Sequence, residues 1–475
     1  MTQDLTTGKI TGTLVKLALP IMATSIIQMA YNMTDLIWIG RLGSKAVAAV
    51  GSAGFYTWFG FAFILISKVG AEISVSQSLG KKNYEDAREY SRSALYLVFL
   101  FAVMWTVILL IFNRQFIGFF KIEDMSVNQM ARSYLSIVSL GVVFNFLTVV
   151  FTGIYNGCGD SRTPFYITTI ALILNMVLDP LLVFGIGPFP LMGVSGAAIA
   201  TVIAQGISAV IFFTLFVTNK SPFPDFHFFK RPQFKYMKKI FQLGSPVALE
   251  SAGFTFFAII LARIVSHWGA LPIAIQRIGA QIEAISWMSA SGFATALSTV
   301  VGQNYGAQKW DRIWFSYFSG LKVVIGIGAL STILFLVFPQ QIFSLFLPES
   351  EAVRMGSVYL RILGVSQIFM CIEIISSGAF KGMGRTIPPT IVSFTLTGLR
   401  IPLALLLSSF PVLALNGVWI SISITSILKG IILSTWFILF LHSHPCIVSS
   451  LKINPRIQNW NSRYLRDKRS FSGKC

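Results

Sequence analysis

The chain has 475 residues, of which 54% are hydrophobic and only 12% charged, with a net charge of +19 and a mean hydropathy of +0.72. A water-soluble domain carries roughly 25% charged residues, so that class is excluded. Closed barrels need short alternating strands, and the apolar runs here are too long and too uniform for them.

A membrane-spanning helix needs about 20 apolar residues. Twelve stretches meet that requirement, approximately 13–38, 47–76, 93–112, 133–155, 165–187, 193–217, 240–266, 271–301, 315–338, 356–380, 387–410 and 414–441. The predicted class is an all-α polytopic membrane protein.

In chain order, span 1 carries Pro20 at mid-helix and Asp35 near its end. Pro20 is a candidate kink whose shape responds to the state of Asp35. Span 2 carries Lys68 and Glu72, four apart and able to neutralise each other. It also carries Phe55 and Trp58, which with Phe254 and Trp287 are candidates to line an apolar cavity for flat cations. In span 5, Asn175 and Asp179 share one helix face, and Pro180 follows and loosens the backbone. Thr201 in span 6 adds a hydroxyl. An acid at the centre of a membrane helix costs about 2.5–3.5 kcal/mol on the translocon scale. The cluster Asp35, Asn175, Asp179 and Thr201 is therefore the predicted coupling-ion site, for a proton or for sodium.

A connector at 218–239 holds Pro222, Pro224 and Pro232 among basic residues. Beyond it, Pro246 and Glu250 fall one turn apart in span 7. Arg277, Gln281 and Glu283 in span 8 form with Glu250 a possible second polar site, or a buried Arg–Glu pair that fixes packing. Glu373 in span 10 and Arg400 in span 11 are candidates to pair.

The chain repeats itself. At an offset of 226, Leu17, Pro20, Val75, Gln77 and Gly80 match Leu243, Pro246, Val301, Gln303 and Gly306. At 225, Tyr134, Leu135, Gly153, Gly157, Gly159 and Pro164 match Tyr359, Leu360, Gly378, Gly382, Gly384 and Pro389. Gly193 and Val194 match Gly417 and Val418 at 224. Six spans per copy give both copies the same orientation, with an expected cavity between two pseudo-symmetric bundles. The predicted organisation is a lobe at 1–217, the connector at 218–239, a second lobe at 240–442 and a basic tail at 443–475.

Lys and Arg concentrate in the N-terminus, the connector, the tail and the loops at 77–92, 156–164, 302–314 and 381–386. That bias places these segments, and both termini, in the cytoplasm. The positive charge therefore reports orientation and contact with anionic lipid rather than nucleic acid. The tail carries Lys452, Arg456, Arg463, Arg466, Lys468, Arg469 and Lys474. Cys158, Cys371, Cys446 and Cys475 show no disulfide framework or metal spacing. No HExxH or GxSxG motif occurs, and His227, His267, His442 and His444 fall in loops or at ends. No enzyme activity or resident cofactor is expected, and the default state is a monomer.

Four segments carry a family resemblance: LALPIMATSIIQMAYNMTDLIWIGRLG at 17–43, YNGCGDSRTPF at 155–165, RIGAQIEAISWMSASGFATALSTVVGQNYGA at 277–307 and GAFKGMGRTIPP at 378–389. Over roughly residues 8–440 the chain resembles the multidrug and toxic compound extrusion (MATE) transporters. The resemblance implies twelve helices in two six-helix lobes in a V shape, and a plasma-membrane antiporter. Such a carrier exports lipophilic, often cationic compounds in exchange for protons or sodium. In the branch it resembles, the first-lobe ion site corresponds to Asp35, Asn175, Asp179 and Thr201, and the span-8 glutamate to Glu283. Another branch binds sodium through acids in spans 7 and 10. Here Phe254 and Met370 fall near those positions, with Glu250 and Glu373 about a turn away. The alternative reading is a flippase for a lipid-linked oligosaccharide or similar precursor.

Overall fold

A computed structural model describes residues 3–122, 124–224, 226–228, 230–347 and 349–443, and the described part is helical throughout, without strands. The basic tail, Cys446, Cys475 and His444 lie outside the described residues.

The helices are α1 (Ile10–Arg41), α2 (Ser44–Gly80), α3 (Tyr84–Ile111), α4 (Asn113–Phe119), α5 (Met125–Gly157), α6 (Arg162–Phe184) and α7 (Val194–Val217). They continue as α8 (Phe234–Val265), α9 (Ala270–Gly306), α10 (Trp310–Val337), α11 (Pro339–Ser344), α12 (Ser350–Gly364), α13 (Gln367–Gly382), α14 (Ile387–Ser408) and α15 (Leu415–His442). Eleven are long and apolar enough to cross a bilayer, and the bent pair α12–α13 completes twelve.

The chain forms two compact units. The first is mainly Val15–Phe256 with Gly384–Thr390; the second contains Leu5–Leu14, Phe257–Met383 and the residues from Ile391 on. The division falls inside α8.

The repeat read from the sequence is visible in the backbone. Lys82 and Gln308, 226 apart, both take left-handed φ, of 58° and 57°. Each closes its helix with the same two bonds. Lys82 N and Asn83 N reach Leu79 O and Ser78 O, while Gln308 N and Lys309 N reach Tyr305 O and Asn304 O. This is the Schellman closure, which satisfies the carbonyls orphaned at a helix end.

The matched glycines of the two copies are where helices cross. A Cβ on Gly157 of α5 would fall 2.8 Å from the Glu72 carbonyl oxygen of α2, and one on Gly378 of α13 would fall 2.5 Å from the Ala294 carbonyl oxygen of α9. Gly153 meets Lys68, and Gly382 meets Ser298. Without a hydrophobic drive between helices in lipid, such close approach supplies the packing. The pair 68 and 72 on α2 thus matches 294 and 298 on α9.

The copies differ in one span. Helix α5 is continuous, whereas its counterpart bends by 49° between α12 and α13. Breaking a helix in a membrane frees carbonyls that must be met internally. Thr332 Oγ1 donates to Gly364 O (2.8 Å), Ser423 Oγ to Ile362 O (2.9 Å) and Gln367 Nε2 to Leu363 O (3.3 Å). The break also places Gln367 on the polar cluster of the second unit.

Candidate functional site

The first unit gathers the predicted coupling-ion residues from three helices. Asn175 and Asp179 come from α6, Thr201 from α7 and Asp35 from α1. Asn175 is 2% exposed and Asp179 fully buried. Asn175 Nδ2 donates to Thr201 Oγ1 at 3.4 Å, and the Tyr31 hydroxyl lies 3.4 Å from the same Thr201 oxygen. Asp35 is near enough for its charge to act on Asp179, and Tyr134 of α5 feels Asp35, Tyr31 and Asp179.

Several acceptors here have no hydrogen-bond partner among the described residues: Asn175 Oδ1 and both carboxylate oxygens of Asp179. Leaving an ionised carboxylate buried and unpaired costs several kcal/mol. The donor set is hard oxygen, from carboxylates, an amide carbonyl and hydroxyls. That set suits a proton or a small hard cation and offers nothing to a soft metal. Among the described residues no group of three or more His, Cys, Asp or Glu side chains forms a metal cluster.

Pro20 lies inside α1 without ending it. Thr24 Oγ1 donates to the Pro20 carbonyl at 2.9 Å, and Ser25 Oγ to Ile21 O at 3.2 Å. Both are i to i−4 back-bonds in the turn after Pro20, of the kind that bends a helix, while the carbonyl that proline leaves without its amide donor is that of Lys16.

The candidates for a second polar site separate, and Glu250 falls in the first unit. Arg277 and Gln281 lie on exposed positions of α9, while Glu283 is half-buried. Glu283 Oε1 accepts from the Tyr359 hydroxyl (2.8 Å) and Oε2 from Gln367 Nε2 (3.3 Å). Its partners are thus neutral donors, and the hydrogen bonds at Glu283 do not include Arg277. Glu250 sits half-buried on α8. Glu373 does not pair directly with Arg400. Lys429 of α15 reaches Glu373 Oε2 at 3.0 Å and Ser393 Oγ donates to Oε1 at 3.0 Å. Arg400 instead donates from Nε to Thr425 (2.8 Å) and from Nη2 to Ser426 (3.0 Å). The long lysine stem lets α15 supply both arrangements at once: an ammonium for Glu373 and hydroxyls for Arg400.

Among the cavity candidates, Phe55 packs on Phe120 (centroids 5.8 Å apart) and Trp58 stacks on Phe61 (5.9 Å). Phe254 and Trp287 are exposed in the absence of lipid.

Sequence reasoning passed over Tyr31, Tyr134 and Lys429. Tyr31 stands four residues before Asp35, on the same helix face. Tyr134 appears only as a repeat marker. Lys429 is a charge inside an apolar run, the same signal that exposes the acids.

Comparison with known proteins follows the same duplication. A family model described as MatE matches twice, at residues 20–181 and 246–406. The chain is 28% identical over 408 residues to the probable multidrug resistance protein NorM of Thermotoga maritima, covering 86% of this chain and 88% of that protein. It is 29% identical over 415 residues to the probable multidrug resistance protein YoeA of Bacillus subtilis, covering 84% and 88%. A crystal structure of a MATE protein in the straight conformation superposes with a TM-score of 0.86 at 23% identity, over 96% of this chain and all of that one. The fold and the family match together define a polytopic membrane transporter, not an enzyme. The chain belongs to the MatE family, with the twelve-helix fold that its sequence predicts.

Proposed function

We propose that the chain is a secondary active antiporter working by alternating access. It exports lipophilic, often cationic drugs or toxic compounds in exchange for a proton or sodium. It sits in the plasma membrane with both termini in the cytoplasm, as the distribution of Lys and Arg supports. Its relatives named as probable multidrug resistance proteins support the substrate class.

The observation that carries the coupling reading is Asp179, fully buried with both oxygens unpartnered beside the unpartnered Asn175 carbonyl. A group in that condition is relieved by taking up a cation. A proton needs only a carboxylate. Sodium, as cargo, would draw on Asp179, Asn175 Oδ1, Asp35 and Thr201. Two acids within electrostatic reach in a low-dielectric site act as one coupled pair. Uptake of the ion neutralises the pair and weakens its attraction for a cationic drug.

The test is uphill efflux of a fluorescent lipophilic cation from vesicles, with proton and sodium gradients imposed separately. Wild type should respond to one gradient and name the ion, and Asp35→Asn should lose that response. Equal export by both proteins would move the coupling site out of the first unit. Wild-type transport indifferent to both gradients would remove the antiport reading.

A further inference from the structure

The first unit has a second charged feature, at the end of its helices opposite the α1–α2 turn. Three chain segments meet there: the start of α3, the end of α7 and the residues that follow α7. A cleft of about 680 Å³ lies between them, lined by Tyr84, Arg88, Asn219, Lys220, Ser221 and the Pro222–Pro224 turn. Among the described residues, its charged lining residues, Arg88 and Lys220, are both cationic.

The walls are fixed. Asn219 takes a left-handed φ of 56°, and Asn219 N and Lys220 N reach Phe216 O (3.4 Å) and Leu215 O (3.0 Å). This Schellman closure sets where Lys220 leaves α7. Ser221 Oγ donates to Phe223 O at 3.0 Å and accepts from Phe223 N. Phe223 is 1% exposed, and Phe226 packs edge-on against Phe216 at 4.9 Å. The segment after α7 is thus anchored to the unit by buried aromatic rings.

Arg88 is the informative residue. It also lines a neighbouring cavity of about 290 Å³ with Glu85, Glu89, Arg92, His227 and Lys230. There Glu89 Oε1 takes Arg92 and Lys230, and Arg92 Nε donates to His227 O. Arg88 stands outside that network, and its buried Nε has no hydrogen-bond partner. A guanidinium donor held away from water without an acceptor is costly. Nor is this cleft inherited from the duplication. At the offset of 226, Arg88 corresponds to Trp314, which packs on Phe318 (4.6 Å) and His442 (4.8 Å).

We propose that the cleft between α3 and the segment after α7 binds a phosphate-bearing anion. Arg88 and Lys220 supply the charge, and Tyr84, Asn219 and Ser221 the neutral donors. A planar guanidinium suits phosphate oxygens. The cleft sits at the ends of two helices, α3 and α7, that are long and apolar enough to cross a membrane. The headgroup of an anionic glycerophospholipid and a free phosphate share this chemistry.

The test uses the full-length protein in a neutral detergent. The probes are dihexanoyl phosphatidylglycerol, dihexanoyl phosphatidylcholine and inorganic phosphate at matched ionic strength. Binding is read by native mass spectrometry and by the shift in thermal unfolding. Phosphatidylglycerol should bind wild type, and phosphatidylcholine should not. One basic contact to an anionic lipid surface contributes about 1 kcal/mol, so Lys220→Gln should weaken binding about fivefold and Arg88→Gln/Lys220→Gln further. Lys220 is exposed, so its substitution leaves the fold intact, and Lys220→Arg should restore binding. Inorganic phosphate binding with the same variant sensitivity, without lipid preference, keeps the site and names a soluble occupant. Phosphatidylglycerol binding unchanged in Lys220→Gln and in the double variant, or no binding of either anion to wild type, overturns the proposal. The site does not depend on the antiport reading. Both variants should keep gradient-driven efflux in zwitterionic vesicles, so the two readings fail separately.

Discussion

The two units place matching residues in matching contacts, yet among the described residues only the first leaves a fully buried carboxylate without a hydrogen-bond partner. Asn175 bonds Thr201 between α6 and α7 in the first unit, and Arg400 bonds Thr425 between α14 and α15 in the second. These pairs are 225 and 224 residues apart. Tyr134 likewise matches Tyr359. The carboxylates do not carry over, since Asp179 corresponds to Ala404 and Asp35 to Leu261. Both of those lie with Tyr359 in the apolar core of the second unit. One scaffold therefore holds either unpartnered acceptors, at Asn175 and Asp179, or a cation of its own, at Arg400. In the second copy the guanidinium is permanent and tied to hydroxyls, and Glu373 has its own ammonium in Lys429. The two copies share the frame, and a few substitutions decide which of them carries the unpartnered acid that the proposed exchange would use.

The strongest way to break this comparison is to neutralise one acid in each unit. Asp179→Asn should abolish gradient-driven efflux, a loss of at least about a hundredfold or roughly 3 kcal/mol in rate terms. Glu283→Gln keeps an acceptor for Tyr359 and should retain the ion response. Equal loss in both would mean that the units share the task. Next, Lys429→Met leaves Glu373 buried without its cation. It should destabilise the protein by about 3–5 kcal/mol, and the double variant Lys429→Met/Glu373→Leu should recover most of that. Thermal unfolding of the three proteins in detergent checks this; a double variant as unstable as the single would deny the pair a purely local role.

A smaller effect belongs to the shared frame. Gly157→Ala and its match Gly382→Ala each push a methyl group onto a neighbouring helix backbone, at Glu72 and Ser298, and should cost about 1–3 kcal/mol. Similar losses at the two positions would confirm equivalent crossings, while a silent change at one would show that its copy can relax. The smallest effect lies outside the membrane. Lys45 and Ser126 hold the Asp124 carboxyl below the usual carboxylate range. A depressed folded value means that its contribution is present above the unfolded carboxylate range and fades as pH falls through the folded value. Asp124→Asn should therefore lower the unfolding temperature slightly at neutral pH and progressively less in strong acid.

The fold was largely legible because the bilayer imposes long apolar runs, and because the repeat fixed how many there are. The first-unit site was legible for a related reason. Asp35 and Asp179 stand out against an apolar background, and i, i+4 spacing puts Asn175 beside Asp179. The contacts of the second unit were harder to read. Arg400, Glu373 and Lys429 are each visible as charges, but which meets which depends on rotations of α13, α14 and α15 that no local pattern encodes. The bend before Gln367 was also hidden. It rests on Thr332 and Ser423, which lie 32 and 61 residues from the carbonyls they meet.

The unpartnered carboxylate at Asp179 also bears on leakage. A carrier is wasteful when it resets empty-handed, letting the gradient and the cargo drift apart. Under the proposed coupling, Asp179, without a hydrogen-bond donor among the described residues, would make the unloaded site the costliest state of the cycle, relieved by an ion or a positively charged passenger. An exchanger built this way discourages idle turnover by the energy of one buried acid, with no separate latch. In the second unit Glu373 has the Lys429 ammonium and Glu283 two neutral donors, so neither carboxylate stands unpartnered there.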